Sequence, residues 1–145
     1  MSPDTPEMSV SEPSQVWDLK ERTKLFALRC IKLVDALPKG LKSEVMGRQL
    51  LGASTSVGAN YRTASLVQFK AAFTAKLSIV LEEADESVYW LELIVEAMLM
   101  PQEKVEDLHL EAQGLTKDFA ASRKKRTSNS SQYASNHYSL SLLNY

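Results

Sequence analysis

In the segment Phe73-Thr-Ala-Lys-Leu-Ser-Ile-Val-Leu-Glu-Glu-Ala-Asp-Glu-Ser-Val-Tyr-Trp-Leu-Glu-Leu-Ile-Val95, apolar residues recur at every third or fourth position. Extended both ways, one stripe takes in Leu66, Phe69, Phe73, Leu77, Val80, Ala84, Ser87, Leu91, Ile94 and Met98. That is the period of an α-helix with one face turned inward, sustained well beyond the length of an ordinary strand. A long helix is expected from about Ser65 to about Leu99, with Pro101 opening the next, since proline suits a first helical turn.

The same period governs the flanking sequence. Val16, Leu19, Thr23, Phe26, Cys30, Leu33 and Leu37 form the seam of a first helix, which Pro38-Lys39-Gly40 should stop. A second helix is expected from an N-cap at Ser43 to about Ala64, with Met46 and Leu50 inward. Val105, Leu108, Ala112, Leu115 and Phe119 mark a fourth helix that runs out at Arg123-Lys124-Lys125-Arg126. No stretch alternates with period two, so no strand is expected. The fold class is all-α: an antiparallel up-and-down four-helix bundle over residues 16–126. Residues 1–15, with three prolines, three acids and no base, read as a disordered leader. Residues 127–145 carry no Asp, Glu, Lys or Arg and read as a flexible uncharged tail.

At 145 residues, 44% hydrophobic and 24% charged, the chain has the composition of one globular domain. Its single cysteine, Cys30, excludes an internal disulfide. Apolar runs are broken by charges well short of the roughly 18 to 20 residues of a membrane helix. There is no basic, then apolar, signal-peptide pattern at the start, so a cytoplasmic protein is expected. The net charge of −1 does not mark a strongly basic nucleic-acid binder.

Charge is nevertheless segregated. From Val16 to Lys76 there are 11 bases and 4 acids, and from Leu77 to Ser122 there are 2 bases and 11 acids. Two readings stand: attraction between the two helical hairpins of one subunit, or complementary faces on adjacent subunits of a ring. The third helix adds to the second reading. Ile79, Val88, Trp90, Leu93, Val95 and Leu99 lie off its first stripe, and a helix apolar on most sides must be covered on more than one.

The second helix contains Gly52-Ala-Ser-Thr-Ser56-Val-Gly58-Ala59-Asn60-Tyr61-Arg62, unusually rich in small residues. No Gly-Lys-Ser/Thr follows a strand, so it is not a phosphate loop. Glycine in a helix costs about 1 kcal/mol relative to alanine, which a close approach to a neighbouring helix can offset. Gly52, Ser56, Gly58, Ala59, Asn60, Tyr61, Arg62 and Trp90 are therefore the candidate close-packing or interface residues. Glu82, Glu83, Asp85 and Glu86 lack the Glu-x-x-His pairs of a di-iron bundle, so some should be solvated and one or two paired with Arg48, Arg62 or Lys76. No nucleophile stands beside a base, and Cys30 reads as a small buried residue. No catalytic residue, cofactor, metal or small-molecule substrate is expected. Arg123, Lys124, Lys125 and Arg126 can contact RNA phosphates, or can simply favour a helix C-terminus.

Two stretches, Leu50 to Arg62 and Phe69 to Leu93, make the chain similar to a known family over roughly residues 16–124. It resembles the four-helix bundle proteins encoded within intervening sequences of bacterial 23S ribosomal RNA genes. The resemblance implies a bacterial cytoplasmic protein that assembles as a homopentamer, with no established catalytic residues. A related branch, the accessory variability determinants of diversity-generating retroelements, binds a reverse transcriptase and nucleic acid. That branch is strongly basic, and this chain is not. The resulting expectation is a non-enzymatic, oligomeric interaction or scaffold protein that contacts RNA weakly. The alternative is an accessory subunit of a nucleic-acid enzyme.

Overall fold

The computed structural model describes the backbone of residues 11–141 and the side-chain surroundings of residues 18–125. Four helices follow in order: α1 (Ser11–Asp35), α2 (Leu41–Ala64), α3 (Lys70–Glu96) and α4 (Gln102–Ser141). Each packs on its neighbour in sequence, and α4 returns to α1 along a narrower seam. The described residues contain no strand, and the protein is an all-α bundle of four helices.

The period-3.6 stripes point inward as read. Phe26, Cys30 and Leu33 from α1 are buried with Leu77, Val80, Ala84, Leu91 and Ile94 from α3. Val105, Leu108, Ala112, Leu115 and Phe119 of α4 close the same core. Two buried hydroxyls are satisfied within their own helices: Thr23 Oγ1 donates to the Leu19 carbonyl at 2.7 Å, and Ser87 Oγ to the Glu83 carbonyl at 2.8 Å.

The differences lie at the helix ends. α2 starts at Leu41 with Gly40 as its N-cap, and Ser43, expected as the cap, is a buried residue within the first turn. Gly40 has φ 149°, which L side chains rarely adopt, so glycine chemistry and not a serine hydroxyl turns the chain. α3 starts at Lys70, five residues later than expected, after turns at 65–69. Leu66 and Phe69, assigned to the inward stripe, are consequently exposed. Met98, also assigned there, projects from the turn after α3 and is 91% exposed. Its φ of 59° is left-handed. Leu99 N–H donates to Ile94 O and Met98 N–H to Val95 O, a Schellman C-cap with methionine in glycine's usual place.

The helical backbone also extends beyond the expected bundle limits. α1 includes residues 11–15 of the expected leader, with Pro13 in the first turn, where proline is tolerated. α4 continues to Ser141 through most of the expected flexible tail. No glycine or proline follows Gly114, so no residue there breaks the helix. Residues 1–10 and 142–145 of the leader and tail lie outside the described residues.

Candidate functional site

The small-residue run of α2 divides between two faces. Gly58 faces α1: a Cβ there would stand 3.3 Å from Thr23 Oγ1 and 3.5 Å from the Thr23 carbonyl carbon. Gly47, two helical turns closer to the start of α2 than Ser54, meets α1 the same way, its notional Cβ 2.9 Å from Val34 Cγ1. These glycines let α1 and α2 approach closely, the structural role expected of Gly58. Tyr61 also points inward, buried with its ring 5.4 Å from that of Phe119 and tilted by 51°. Gly52 turns the other way, to the exposed side, and nothing lies within 4 Å of a Cβ there, whereas Ala59 is exposed at the edge of the α1–α2 crossing. Ser56 and Asn60 flank the two faces, with Asn60 Nδ2 donating to the Ser56 carbonyl at 2.9 Å. Arg62 is exposed.

Trp90 does not lie on a bare second face of α3. It is half-buried against the core, donates its indole N–H to Glu86 Oε1 at 3.2 Å, and stands edge-on to Tyr89 at 5.0 Å. Val88, Val95 and Leu99 are likewise packed against the core of the same chain. Only Ile79 of the six off-stripe residues is classed as exposed. One subunit therefore half-covers the face for which a cover was expected. The first hairpin carries uncovered apolar surface too, besides Ile79 and Tyr89 of α3 and Leu110 of α4. Leu25 and Leu28 of α1 are 57% and 54% exposed, Ile31 is partly so, and Leu41 and Val45 open the outer face of α2.

The principal ion-pair site was not anticipated. Arg22 on α1 spans the seam to α4, with Nε 3.1 Å from Glu111 Oε1 and Nη1 2.8 Å from Asp118 Oδ2. Burial pulls the guanidinium pKa down, but the hydrogen bonds it donates to Asp118 and Glu111 outweigh that and leave the group above its ordinary value. Glu111 and Asp118 are seven residues apart, two turns on one helical face, and that spacing was the available signal. No ion pair joins Arg48, Arg62 or Lys76 to the acids of α3 among the described residues, which corrects that expectation. Ion pairing between the basic and acidic halves does occur within one subunit, but through α1 and α4.

Of the α3 acids, Glu83 is half-buried; burial first, then Glu86 and Glu82, raise its pKa above the usual carboxylate value. Glu82, Asp85 and Glu86 are exposed. Among the described residues no three His, Cys, Asp or Glu side chains are grouped to hold a metal ion. Cys30 is fully buried beside Ser54, and burial pushes its thiol up to about 12 despite the opposing effects of Ser54 and Arg29. Ser54 Oγ is buried without a well-formed hydrogen bond. His109 pairs with Glu92 at 2.9 Å in a groove between α3 and α4. Arg123, Lys124 and Lys125 are exposed on α4, whereas the side chain of Arg126 lies outside the described residues. No described helix is long and apolar enough to cross a membrane.

A groove of about 460 Å³ between α1 and α2 brings Lys20, Lys24, Thr55, Gly58, Ala59 and Arg62 together. It is the place where part of the small-residue run and the basic half of the chain coincide.

The profile of the 23S rRNA-intervening sequence proteins matches residues 14–121. A solved structure from Bacteroides thetaiotaomicron, a protein of unknown function from the S23 ribosomal protein family, is 35% identical with a TM-score of 0.68. The match covers 73% of this chain and 98% of that one. No curated protein matches.

Proposed function

The chain belongs to the 23S rRNA-intervening sequence protein family, and on that footing we propose that it is a non-enzymatic, cytoplasmic scaffold that assembles with copies of itself, as a pentamer by family analogy. The observation that carries this reading is the bare apolar surface of the first hairpin. Leu25, Leu28 and Ile31 on α1 and Leu41 and Val45 on α2 stand among Lys24, Lys32 and Arg48. Contiguous exposed apolar residues usually mark an interface.

The opposite hairpin offers a complement. Glu82, Asp85 and Glu86 on α3 and Glu106 and Asp107 on α4 are exposed, with Tyr89 and Leu110 between them. A basic-apolar face meeting an acidic-apolar face is a head-to-tail contact, and such contacts close into rings when the rotation allows. Arg123, Lys124, Lys125 and Arg126 then supply a local cationic patch for weak RNA contact. The acidic α3–α4 surface limits that contact, so it should fade as salt rises.

Light scattering at micromolar concentration is the test. The expected mass is several times the 16.2 kDa chain, falling toward one chain in a Leu25→Lys, Leu28→Lys variant. A monomeric parent protein would overturn the proposal. Fluorescence anisotropy across a salt series tests the RNA contact: exchanging the four basic residues for Gln should remove most of the binding.

A further inference from the structure

Along the α1–α4 seam, residues two turns apart occupy equivalent positions, because seven residues nearly complete two helical turns. Arg22 faces Glu111. In this antiparallel register, a step of seven along α1 reaches Arg29, and a step of seven back along α4 reaches Lys104. A lysine thus stands where the pattern of the ion pair would place a carboxylate. Here the seam opens into a cavity of about 460 Å³ lined by Arg29, Lys32, Leu33, Met100, Lys104 and Leu108.

No acid lines this cavity. The acids nearest in sequence, Asp35, Glu103, Glu106 and Asp107, are exposed and are not among its lining residues. Neither Arg29, Lys32 nor Lys104 makes an ion pair among the described residues. Arg29 is only partly exposed, so it has lost some water without gaining a counter-charge. The floor is apolar: Leu33, Met100 and Leu108 are all buried. Three cations line a hollow with an apolar floor, a combination that leaves charge without a counter-ion and only the edges of the apolar side chains within reach of a ligand.

We propose that this cavity binds a small amphipathic anion, with a carboxylate or phosphate head among Arg29, Lys32 and Lys104 and a short alkyl or aryl body on Leu33, Met100 and Leu108. The hollow is open to solvent on one side and large enough for a small molecule. An anionic head supplies the counter-charge that the three cations lack, and the body covers the edges of the apolar floor. Every lining residue belongs to one chain, and of the three cations only Lys32 also borders the proposed subunit interface.

Isothermal titration calorimetry on the full chain, at fixed ionic strength, tests it with four probes: octanoate, octyl phosphate, octanol and inorganic phosphate. Octanoate and octyl phosphate should bind at least tenfold more tightly than octanol or inorganic phosphate. Whichever head binds more tightly identifies the source as an acyl carboxylate or an organophosphate. Lys104→Gln and Arg29→Gln should each weaken binding at least fivefold, while Lys117→Gln, remote from the cavity, leaves it unchanged.

Lys104→Glu supplies the decisive contrast. It places a carboxylate opposite Arg29, as Glu111 is placed opposite Arg22, and should abolish binding while raising the melting temperature without ligand. Equal binding of octanol and octanoate would overturn the proposal, as would equal binding of inorganic and octyl phosphate. So would undiminished binding by Lys104→Glu, or an oligothymidylate that binds more tightly than either octyl anion and loses affinity in the same variants.

Discussion

Gly58 of α2 and Thr23 of α1 are neighbours at the helix crossing, so close that a methyl group on the glycine would stand 3.3 Å from the threonine hydroxyl oxygen. The threonine is itself buried and hydrogen-bonded back to Leu19, so it has little freedom to retreat. The small-residue run of α2 is therefore a packing device where it faces α1 and an open surface where it faces away.

The glycines should accordingly respond in opposite senses. Gly58→Leu should destabilise the fold by about 1 to 3 kcal/mol through overpacking. Gly58→Ala should be near neutral, since better helix propensity is offset by crowding against Thr23. Gly52→Ala meets nothing and should stabilise by up to about 1 kcal/mol, the ordinary gain within a helix. Chemical denaturation of the three variants checks the pattern, and equal effects at the two sites would contradict it.

Arg22 ties α1 to α4, and its two acceptors should share the benefit. Arg22→Met should cost about 1 kcal/mol, because the pairs are only part-buried and partly screened. In a double-mutant cycle, Asp118→Asn should lose most of its effect once Arg22 is replaced. Independent, additive losses would show that the observed hydrogen bonds contribute nothing measurable.

Which face each long helix buries was legible in the sequence; where two of the helices end was not. The inward stripes from Thr23 to Leu33, from Leu77 to Ile94 and from Val105 to Phe119 follow directly from the spacing of apolar residues. The stripe of α3 overran at both ends because its boundaries carry none of the usual punctuation. The α2–α3 turn, Ser65–Phe69, contains no glycine or proline, and the left-handed residue after α3 is methionine. The same stripe logic could not show that Trp90 finds cover within its own chain, since coverage depends on how neighbouring helices lean. Arg22 was overlooked because its partners are 89 and 96 residues away. The division of the small-residue run was equally hidden: Gly52 and Gly58 have the same chemistry and face different surroundings.

Met98 in a left-handed conformation predicts a stabilising change. Met98→Gly removes the Cβ clash at this position, and the exposed side chain forfeits almost no packing. A gain of about 1 kcal/mol is expected, and thermal denaturation would register it as a higher midpoint. A lower midpoint would mean that the methionine side chain contributes contacts of its own.

Cys30 should behave as a buried apolar residue. With its thiol pushed up to about 12, almost no thiolate exists at pH 8, and the side chain is inaccessible. Ellman's reagent should label it only when the protein unfolds, so the labelling rate should rise steeply with denaturant. Rapid labelling of the native protein would contradict the burial.

Glu83 works against stability once ionised. Its folded-state pKa is raised, so the native state holds the proton more tightly than the unfolded chain does. Its contribution is therefore full below the unfolded carboxylate pKa and is lost as pH rises through the folded value. Glu83→Gln should stabilise the protein at pH 7, by no more than about 0.5 kcal/mol for a half-buried group that water still screens. The difference between variant and parent should vanish at acidic pH, and a variant less stable than the parent at pH 7 would refute the sign.

The narrow seam between α1 and α4 gives the bundle an uneven thermal landscape. α3 is flanked broadly by α2 and α4, whereas α1 rests mainly on α2 and touches α4 over a short stretch. Transient excursions that detach α1 expose less surface than any that free α3, so α1 amides should exchange with deuterium sooner. Opening of this kind would separate Arg29 from Lys104 and part the walls of the cavity between them. The first helix is thus the element expected to detach first, and a ligand bridging Arg29 and Lys104 would hold it in place.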